Sequence, residues 1–303
     1  MLPFDERDGW IWLDGRFTPW RDAKLHVLTH ALHYGSGVFE GMRMYDGRIF
    51  ALEAHTRRLV RSAQLLDFAI PWSEAELNEA AIETCLRNGL HNCYIRPIAW
   101  RGAEQLSVSA LDTRVHVAIA AWPWPKYFDE DRLRRGIRLC WAKYRRPSAD
   151  AAPTAAKATG LYVICTISKN VAEREGYDDA LMLDSTGAIA EATGANIFFV
   201  RDGVLFTPPP SSFLDGITRQ TIIALARARG IKVVESRIMP ADLGAFTECF
   251  VVGTAAEVTP VGQIAEHAFQ PGRLTFGLIE AYSALVRSRV SAAAEPAPAI
   301  LAS

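Results

Sequence analysis

The sequence predicts a mixed α/β (α+β) fold built from two domains. Of its 303 residues, 50% are apolar and 22% are charged, which is the balance of a soluble globular protein with a substantial core. Short strand-like runs alternate with helix-like runs along the chain, and the proline-rich stretch WPWPKYFDED interrupts them as an inter-domain connection would. We therefore predict a small N-terminal α/β domain at 1–121, a linker at 122–131, a larger C-terminal domain at 132–290 and a disordered tail at 291–303.

Two Asp-Gly pairs predict β-hairpins in the N-terminal half. Asp14-Gly15 and Asp46-Gly47 each lie between short apolar runs, and Asp-Gly is favoured where both central residues of a tight turn take positive φ. Ser73 is followed three residues later by Glu76, which is the signature of a helix that begins with a capping box. Apolar spacing then predicts helices at 53–68 and 73–90 and strands at 94–100 and 115–121.

The second half alternates short strands with helices and shows no internal repeat. Apolar runs bounded by turn residues predict the strands, and apolar spacing near 3.6 residues predicts the helices. The predicted strands are at 137–141, 180–183, 197–200, 204–207, 232–235 and 249–252, and the predicted helices begin at 161, span 218–229 and span about 274–290.

Charge and composition exclude several classes of protein. The formal net charge is −1, so electrostatics predicts neither a nucleic-acid nor a membrane partner, and we interpret the basic cluster at 143–146 as a solvated face. The N-terminal residues MLPFDERDGW lack the apolar core of a secretory signal, and the most apolar stretch, 115–124, is too short to cross a bilayer. The five cysteines form no C-x-x-C, which argues against a disulfide framework or a zinc ribbon and favours a reducing cytoplasm.

Lys157 is the candidate for chemistry that needs an amine. It is one of six lysines and lies in PTAAKATGLY, among small residues just before an apolar run. A neutral lysine amine can condense with an aldehyde, which is the role of lysine toward aldehyde cofactors. A single lysine is more often a solvated loop residue, so the hypothesis depends on its companions.

Three further features supply those companions. Glu191, in GAIAEATGAN, lies at a predicted turn into a buried strand, where a carboxylate is either solvated or holds a buried cation such as a protonated pyridine nitrogen. Gly216-Ile217-Thr218 opens an amphipathic helix whose free N–H groups and dipole can bind an anion. Small residues follow the strand in FVVGTAAEVTP and would let backbone N–H groups approach a ligand, and Arg58 could add a charge-assisted bond to phosphate. An amine, a carboxylate for a cation and a phosphate site are what pyridoxal phosphate (PLP) requires of a protein.

The chain resembles the class IV, fold-type IV aminotransferases, and within them the branched-chain amino acid aminotransferases. The resemblance runs from DGRFTPWRDAKLHVLTHALHYGSGVFEGMR to GTAAEVTPV and agrees in order, spacing and local sequence. It implies a two-domain PLP enzyme of the D-amino acid aminotransferase-like fold, with the cofactor between the domains. It also implies that Lys157 is the catalytic Schiff-base lysine, that Glu191 binds the pyridine nitrogen and that Tyr162 bonds the phenolic oxygen. The residues implied to hold the cofactor phosphate are Arg58, Ile217, Thr218 and Thr254.

The resemblance also implies a set of substrate-binding residues. Aromatic side chains with a few polar tips suit a ligand that has one apolar and one charged end. Two departures from the family pattern matter. AWRGAEQLSVSALD stands where a glycine-rich stretch is usual, which bears on the range of substrates, and Ala195 stands where many relatives have an acid, which bears on the tuning of the cofactor. The implied set is Tyr34, Phe39, Gly41, Arg43, Tyr94, Arg96, Trp124, Tyr127, Ala255 and Ala256.

The implied activity is transamination of L-leucine, L-isoleucine and L-valine with 2-oxoglutarate. It would yield branched 2-oxo acids and L-glutamate by a ping-pong sequence through a Schiff base on Lys157, as in branched-chain amino acid biosynthesis. The implied partners are small amino acids, 2-oxo acids and a second copy of the chain in a homodimer, or a higher oligomer.

Other activities remain as alternatives. D-Amino acid aminotransferases, (R)-amine transaminases and aminodeoxychorismate lyase share the fold. The first of these usually has an Arg-x-His pair where this chain has Tyr94-Ile95-Arg96, which favours the branched-chain interpretation. A PLP-binding carrier without turnover is the non-enzyme alternative.

Other motifs are weaker. His26, His30 and His33 have a spacing that would place them on one helix face as zinc ligands, but no neighbouring Cys, Asp or Glu completes the set, so we predict no metal. The glycine spacing of GSGVFEG does not match a dinucleotide-binding fingerprint, and the chain has no G-x-S-x-G.

Overall fold

The structure is a computed structural model that describes residues 2–124 and 130–288. The chain forms two compact units, one made of 2–124 with 156–162 and the other of 130–155 with 163–288. The segment 156–162, which carries Lys157, therefore packs with the first unit, whereas the sequence assigned it to the C-terminal domain. The reason is pairing with a distant part of the chain, because Ala158 forms a β-bridge with Val38. The predicted tail and part of the predicted linker lie outside the described residues.

The first unit is built on a seven-stranded antiparallel sheet. The sheet order is β2-β1-β7-β6-β4-β5, and β3 also pairs with β6. The strands are β1 (Trp10–Leu13), β2 (Arg16–Pro19), β3 (Gly37–Phe39), β4 (Met42–Tyr45), β5 (Arg48–Ile49), β6 (Cys93–Arg101) and β7 (Val115–Pro123).

Three helices accompany this sheet. They are α1 (His30–Tyr34), α2 (Leu52–Leu65) and α3 (Glu74–Arg87). The apolar side chains of α2 and α3 join those of the sheet in one buried core that includes Leu59, Ile95 and Val117. Burial of this apolar face, rather than helix propensity alone, stabilises such short helices.

The local signals of the N-terminal half are confirmed. Both Asp-Gly pairs form hairpin turns with positive φ at both residues, 48° and 86° for the first pair and 48° and 84° for the second. Ser73 caps α3, since its Oγ accepts from the backbone N–H of Glu76 at 3.3 Å while the Glu76 side chain accepts from the backbone N–H of Ser73 at 2.7 Å. The end of β7 differs from the prediction: the strand continues to Pro123, which is opposite Cys93. A proline is tolerated there because β1 pairs with β7 only at Ala118 and Ile119, so β7 is an edge strand at Pro123.

The second unit is built on a nine-stranded mixed sheet. Its strands are β8 (Ile137–Trp141), β9 (Asp179–Leu183), β10 (Ile189–Ala192), β11 (Asn196–Arg201), β12 (Val204–Thr207), β13 (Val233–Glu235), β14 (Glu248–Gly253), β15 (Glu257–Ile264) and β16 (His267–Ala268). Strand β10 pairs with β9 on one side and with β11 on the other, so six strands, β10-β9-β8-β15-β14-β11, close into a ring. The pairs β8–β9, β8–β15 and β12–β13 are parallel.

Four helices belong to the second unit. They are α4 (Glu130–Arg135), α5 (Val163–Arg174), α6 (Ile217–Ala228) and α7 (Arg273–Arg287). Leu139, Ile197 and Val251 are almost fully buried in the apolar core, and Ala195 lies in the same cluster. An acid at position 195 would need a partner in that apolar setting, which gives a physical reason for the alanine of this chain.

Among the described helices, none combines the length and the apolarity that crossing a bilayer would require. All five cysteines are free and buried. The mixed helix and strand architecture in two units agrees with the predicted fold class.

Candidate active site

Lys157 is held by its backbone on both sides. Its N–H donates to Oγ of Ser62 at 3.0 Å, and its carbonyl accepts from the backbone N–H of Phe39 at 3.1 Å. Ser62 is fully buried on α2. No sequence signal marks this anchor, because Ser62 is distant in the chain and has no motif around it. The backbone of Lys157 is therefore fixed within the first unit.

The amine of Lys157 lies among aromatic groups. Its Nζ is 2.7 Å from Oη of Tyr162, and it lies 4.9 Å from the ring centroid of Phe39. The rings of Phe39 and Tyr162 meet edge to face with centroids 4.8 Å apart. Two of the predicted cofactor-binding residues, Lys157 and Tyr162, are therefore in contact in the first unit.

Phe39 connects this amine to a second group of predicted residues on β6. The Arg96 guanidinium lies 4.7 Å from the ring centroid of Phe39 and donates from Nη2 to Oη of Tyr94 at 3.1 Å. Tyr94 and Arg96 are two residues apart on a strand, so both side chains are on the same face of the sheet. The ring of Trp124 lies 4.8 Å from that of Tyr94.

Gly41 is required by the position of the Tyr94 phenol. A Cβ added at Gly41 would overlap Oη of Tyr94 and lie 2.9 Å from its Cζ. Glycine therefore permits the close approach of backbone and phenol. Arg43, on the neighbouring strand, is opposite Tyr94 in the register.

Tyr34 and Tyr127 are the remaining predicted substrate-binding residues of the N-terminal half. Tyr34 is 47% exposed and stacks on the ring of His30. Tyr127 lies outside the described residues.

Arg58 is bound to a buried acid that the sequence did not single out. Its Nε and Nη2 donate to the two carboxylate oxygens of Glu40 at 2.6 and 2.9 Å. His55, one turn earlier on α2, contacts the same carboxylate through Nδ1 at 2.7 Å. The sequence could not indicate this cluster, because Glu40 stands between Phe39 and Gly41 in a stretch without helical or strand periodicity.

Glu191 lies on β10 itself, whereas the sequence placed it at a turn before a strand. It is 9% exposed. Its Oε2 accepts from Nδ2 of Asn196 at 3.2 Å, and its Oε1 lies 3.4 Å from Nε of Arg146. Asn196 is also the cross-strand partner of Glu191 and donates to the carbonyl of Leu214 at 3.1 Å. The carboxylate is therefore buried, hydrogen-bonded by Asn196 and paired with the Arg146 guanidinium.

Arg146 corrects the interpretation of the basic cluster at 143–146 as a solvated face. It is 4% exposed, and its guanidinium lies beside Glu191, the carbonyl of Ser212 and the Cys165 thiol. A positive charge beside a buried carboxylate favours its ionised form. Arg146 therefore places a cation beside Glu191.

The N-terminus of α6 has the features of the predicted anion site. Its N-cap residue, Gly216, provides no side-chain hydrogen bond to the first turn, and Thr218 is buried within that turn. A Cβ at Gly216 would overlap Oδ1 of Asn196, so the helix begins in direct contact with the residue that orients Glu191. Uncapped N–H groups at a helix N-terminus favour an anion. Ile217 is the first helical residue there.

Arg219 fixes the loop that leads into α6, although no sequence motif marks it. It is 1% exposed. Its guanidinium donates to Oδ1 of Asp215 at 2.9 Å, to the carbonyl of Pro208 at 3.0 Å and to Oε2 of Glu235 at 2.7 Å. The preceding loop is thereby tied to the body of the second unit.

The turn between β14 and β15 contains Thr254, Ala255 and Ala256. These three residues are half-buried, and they connect strands whose last pair is Gly253 with Glu257. Glu257 has φ of 53°, which turns the chain back into β15. The turn therefore presents short side chains and backbone, as the sequence predicted.

The histidines of HVLTHALH do not form a metal-binding face. His26 precedes α1, so the three residues do not share one helix. His30 is buried, and its ring nitrogens contact Oγ of Ser36 at 2.6 Å and the carbonyl of Ser107 at 2.9 Å. Within 2–124 and 130–288, no group of three His, Cys, Asp or Glu side chains could hold a metal ion.

The donor groups fit the three functional parts of PLP. The first unit provides an amine beside a phenol hydroxyl and an oriented guanidinium. The second unit provides a buried carboxylate beside an arginine and a helix N-terminus without a side-chain cap. These groups suit an aldehyde, a phosphate and a protonated ring nitrogen.

The comparisons with known proteins agree on one protein family. The amino-transferase class IV model matches residues 37–264. A branched-chain-amino-acid aminotransferase of Pseudomonas aeruginosa is 43% identical over 297 residues, covering 96% of this chain and 97% of that protein.

Solved structures agree over most of the chain. The crystal structure of the T.th. branched-chain amino acid aminotransferase with pyridoxamine 5′-phosphate has a TM-score of 0.90 at 41% identity, covering 93% of this chain and 96% of that one. The same T.th. enzyme complexed with N-(5′-phosphopyridoxyl)-L-glutamate has a TM-score of 0.89 at 41% identity, covering 94% and 96%.

Proposed function

Because the chain belongs to the class IV aminotransferases, a family that uses PLP, we propose that it transfers the amino group of L-leucine, L-isoleucine or L-valine to 2-oxoglutarate. The products are branched 2-oxo acids and L-glutamate, formed in two half-reactions of a ping-pong sequence. The observation that carries this proposal is the Lys157 amine, held 2.7 Å from the Tyr162 hydroxyl on a fixed backbone. The donor and acceptor classes are supported by the branched-chain name of the Pseudomonas relative and by the glutamate adduct bound in the T.th. enzyme.

The residues of the chain divide the chemistry between them. When bound, PLP supplies an aldehyde for nitrogen exchange and a protonated ring that accepts electrons. Lys157 Nζ binds the aldehyde at rest and, once released, moves the proton of the substrate Cα. The Tyr162 hydroxyl accepts a hydrogen bond from that amine, and the buried Glu191 carboxylate would bind the protonated ring nitrogen.

Substrate recognition is assigned to the first unit. Arg96 and Tyr94 provide a guanidinium and a phenol at the edge of an aromatic surface formed by Phe39 and Trp124. The guanidinium suits the second carboxylate of 2-oxoglutarate, and the aromatic rings suit a branched aliphatic side chain. Ala255 and Ala256 of the second unit are assigned to the α-carboxylate through their backbone.

Initial rates for a panel of donors test this function. With 2-oxoglutarate as acceptor, L-leucine, L-isoleucine and L-valine should react at least about a hundredfold faster than their D-enantiomers or (R)-amines, with one L-glutamate formed per branched 2-oxo acid. Faster D-amino acids or (R)-amines would contradict the proposal in favour of those transaminases. Pyruvate released from added aminodeoxychorismate without 2-oxoglutarate would indicate a lyase, and no spectral change with any donor would indicate a carrier.

We also propose that the protein is a homodimer in the cytoplasm. Two segments of the first unit expose large apolar side chains, with Val27 74%, Val108 85% and Leu111 79% exposed, and the contact of His30 with the carbonyl of Ser107 joins these segments. Apolar side chains clustered in this way favour association, and five free cysteines suit a reducing compartment. Light scattering should give a molar mass of at least twice 33.4 kDa, whereas a monomer at micromolar concentration would rule out the dimer.

A further inference from the structure

Glu40 is a buried carboxylate to which the proposed chemistry assigns no role. Its side chain has no exposed surface, and its backbone N–H donates to the carbonyl of Pro97 on β6 at 2.8 Å. Its own Oε2 also accepts from the backbone N–H of Gly41 at 3.2 Å. A buried carboxylate is costly unless it is paired, so its partners indicate its purpose.

The side-chain partners of Glu40 are two residues of α2. Arg58 binds both oxygens of Glu40 through Nε and Nη2, a bidentate geometry that fixes the plane of the guanidinium. The opposite edge of that group, Nη1 with the second N–H of Nη2, is thereby turned away from Glu40. His55 adds a third contact to the same carboxylate.

The charge states of the cluster are well defined. Burial alone would raise the pKa of Glu40, but Arg58 and then His55 outweigh it and hold the pKa well below its ordinary value. Burial, together with the nearby charges of Arg58 and Lys157, lowers the pKa of His55 despite the opposing effect of Glu40, so His55 is neutral and donates from Nδ1 to the carboxylate. The cluster is therefore one anion, one cation and a neutral donor, and its net charge is zero.

We propose that Glu40, supported by His55, is a positioning residue that holds the Arg58 guanidinium ready for the phosphate of the cofactor. This inference rests on the proposed function, in which Arg58 is a phosphate-binding group. Two effects oppose each other: Glu40 neutralises the positive charge of Arg58, which weakens attraction to phosphate, and it removes the rotational freedom that a long side chain would lose on binding. Orientation dominates here, because the guanidinium is already desolvated, with its side chain 16% exposed, and is bound at two points before the ligand arrives.

The test compares PLP with pyridoxal, which has the same aldehyde and ring but no phosphate. The apo forms of the wild type and of Glu40→Gln are titrated with each compound, and dissociation constants are measured by absorbance. We expect the variant to bind PLP about fivefold to tenfold more weakly and pyridoxal with unchanged affinity. An equal loss for both compounds would indicate a merely structural role, and tighter PLP binding would show that charge neutralisation dominates; either result overturns the inference.

Two further variants show whether the effect passes through Arg58. In an Arg58→Lys background the bidentate pair is absent, so adding Glu40→Gln should leave the ratio of the two dissociation constants unchanged. A further loss specific to PLP would overturn the inference. His55→Asn retains both charged residues and should shift the ratio by about threefold. It also serves as the deciding variant if Glu40→Gln does not fold, and an unchanged ratio would then count against the proposal.

Thr84→Ala is the matched control. Thr84 is fully buried in the same unit and donates to the carbonyl of Ala80 on α3, so its loss removes a buried hydrogen bond without touching the cluster. It should lower the melting temperature and leave the ratio unchanged; a changed ratio would overturn the inference, because the ratio would then report stability. Failure of the proposed function has a separate signature, since a wild-type protein that bound neither aldehyde covalently would remove PLP chemistry altogether.

Discussion

Lys157→Ala should abolish multiple turnover, with a loss of at least about 10⁴-fold, because the nucleophile and the proton carrier are one group. The fold should remain, since the backbone of residue 157 is held by Ser62 and Phe39 through groups that the substitution keeps. The measurement has two parts: initial rates with L-leucine, and borohydride reduction of the PLP-loaded protein followed by peptide mapping. Wild-type protein should carry the reduced adduct on the peptide that contains Lys157, and the variant should carry none.

Two control variants separate the loss of the covalent role of Lys157 from the loss of its positive charge and from general damage to the protein. Lys157→Arg keeps a cation beside the Tyr162 hydroxyl but forms no stable link to an aldehyde, so it should be as inactive as Lys157→Ala. Lys24→Ala removes an exposed lysine from a loop of the same unit and should leave both readouts unchanged. An adduct on another lysine, or turnover by Lys157→Arg close to the wild-type rate, would remove Lys157 from its assigned role.

Features with a local physical cause were predictable from the sequence. An Asp-Gly pair between apolar runs requires positive φ at both residues, and both hairpins formed at those positions. The capping box at Ser73 depends on a residue three positions away, so the start of α3 was also correct. Lys157 and Tyr162 could be paired because they lie five residues apart in one motif, and the structure brings them within a hydrogen bond.

Features that depend on distant partners were not predictable. Arg146 belongs to a basic run, and only its contact with Glu191, 45 positions later, shows that it is buried. Glu40 is adjacent to glycine and phenylalanine, and its burial follows from Arg58 and His55 on a helix whose face the local sequence around Glu40 does not reveal. Strand β10 has only four residues, and its pairing with β9 and β11 is what makes Glu191 a strand residue.

The Lys157 segment illustrates the same limit at the level of domains. Chain order places 156–162 inside the second half of the sequence, yet the bridge between Ala158 and Val38 and the anchor on Ser62 join it to the first unit. The proposed amine and the proposed ring-nitrogen carboxylate therefore belong to different units. Each has its own supporting residues, so substitutions in the two units should have separable effects.

Glu191→Gln should lower kcat by about 10² to 10³-fold while the protein still binds PLP. A neutral amide cannot stabilise a protonated ring nitrogen, and loss of one partner from a buried charge pair costs about 3–5 kcal/mol. The amide would also be poorly accommodated: its oxygen can still accept from Nδ2 of Asn196, but its NH2 group then faces Nε of Arg146, which is also a donor. PLP affinity should change less than about tenfold, because Lys157 and the phosphate-binding groups are unaltered.

Two measurements check that kcat falls much more than PLP affinity. Steady-state kinetics with L-leucine give kcat, and an absorbance titration of the apo form with PLP gives the affinity. Glu191→Asp retains the negative charge and should recover part of the rate, which a purely steric role for the side chain would not produce. Glu266→Gln is the surface control, since the Glu266 side chain is 73% exposed and its ion pair is with its neighbour His267, and it should leave both measurements unchanged. An unaltered kcat in Glu191→Gln, or a loss of PLP binding as large as the loss of rate, would show that the carboxylate does not act on the ring nitrogen.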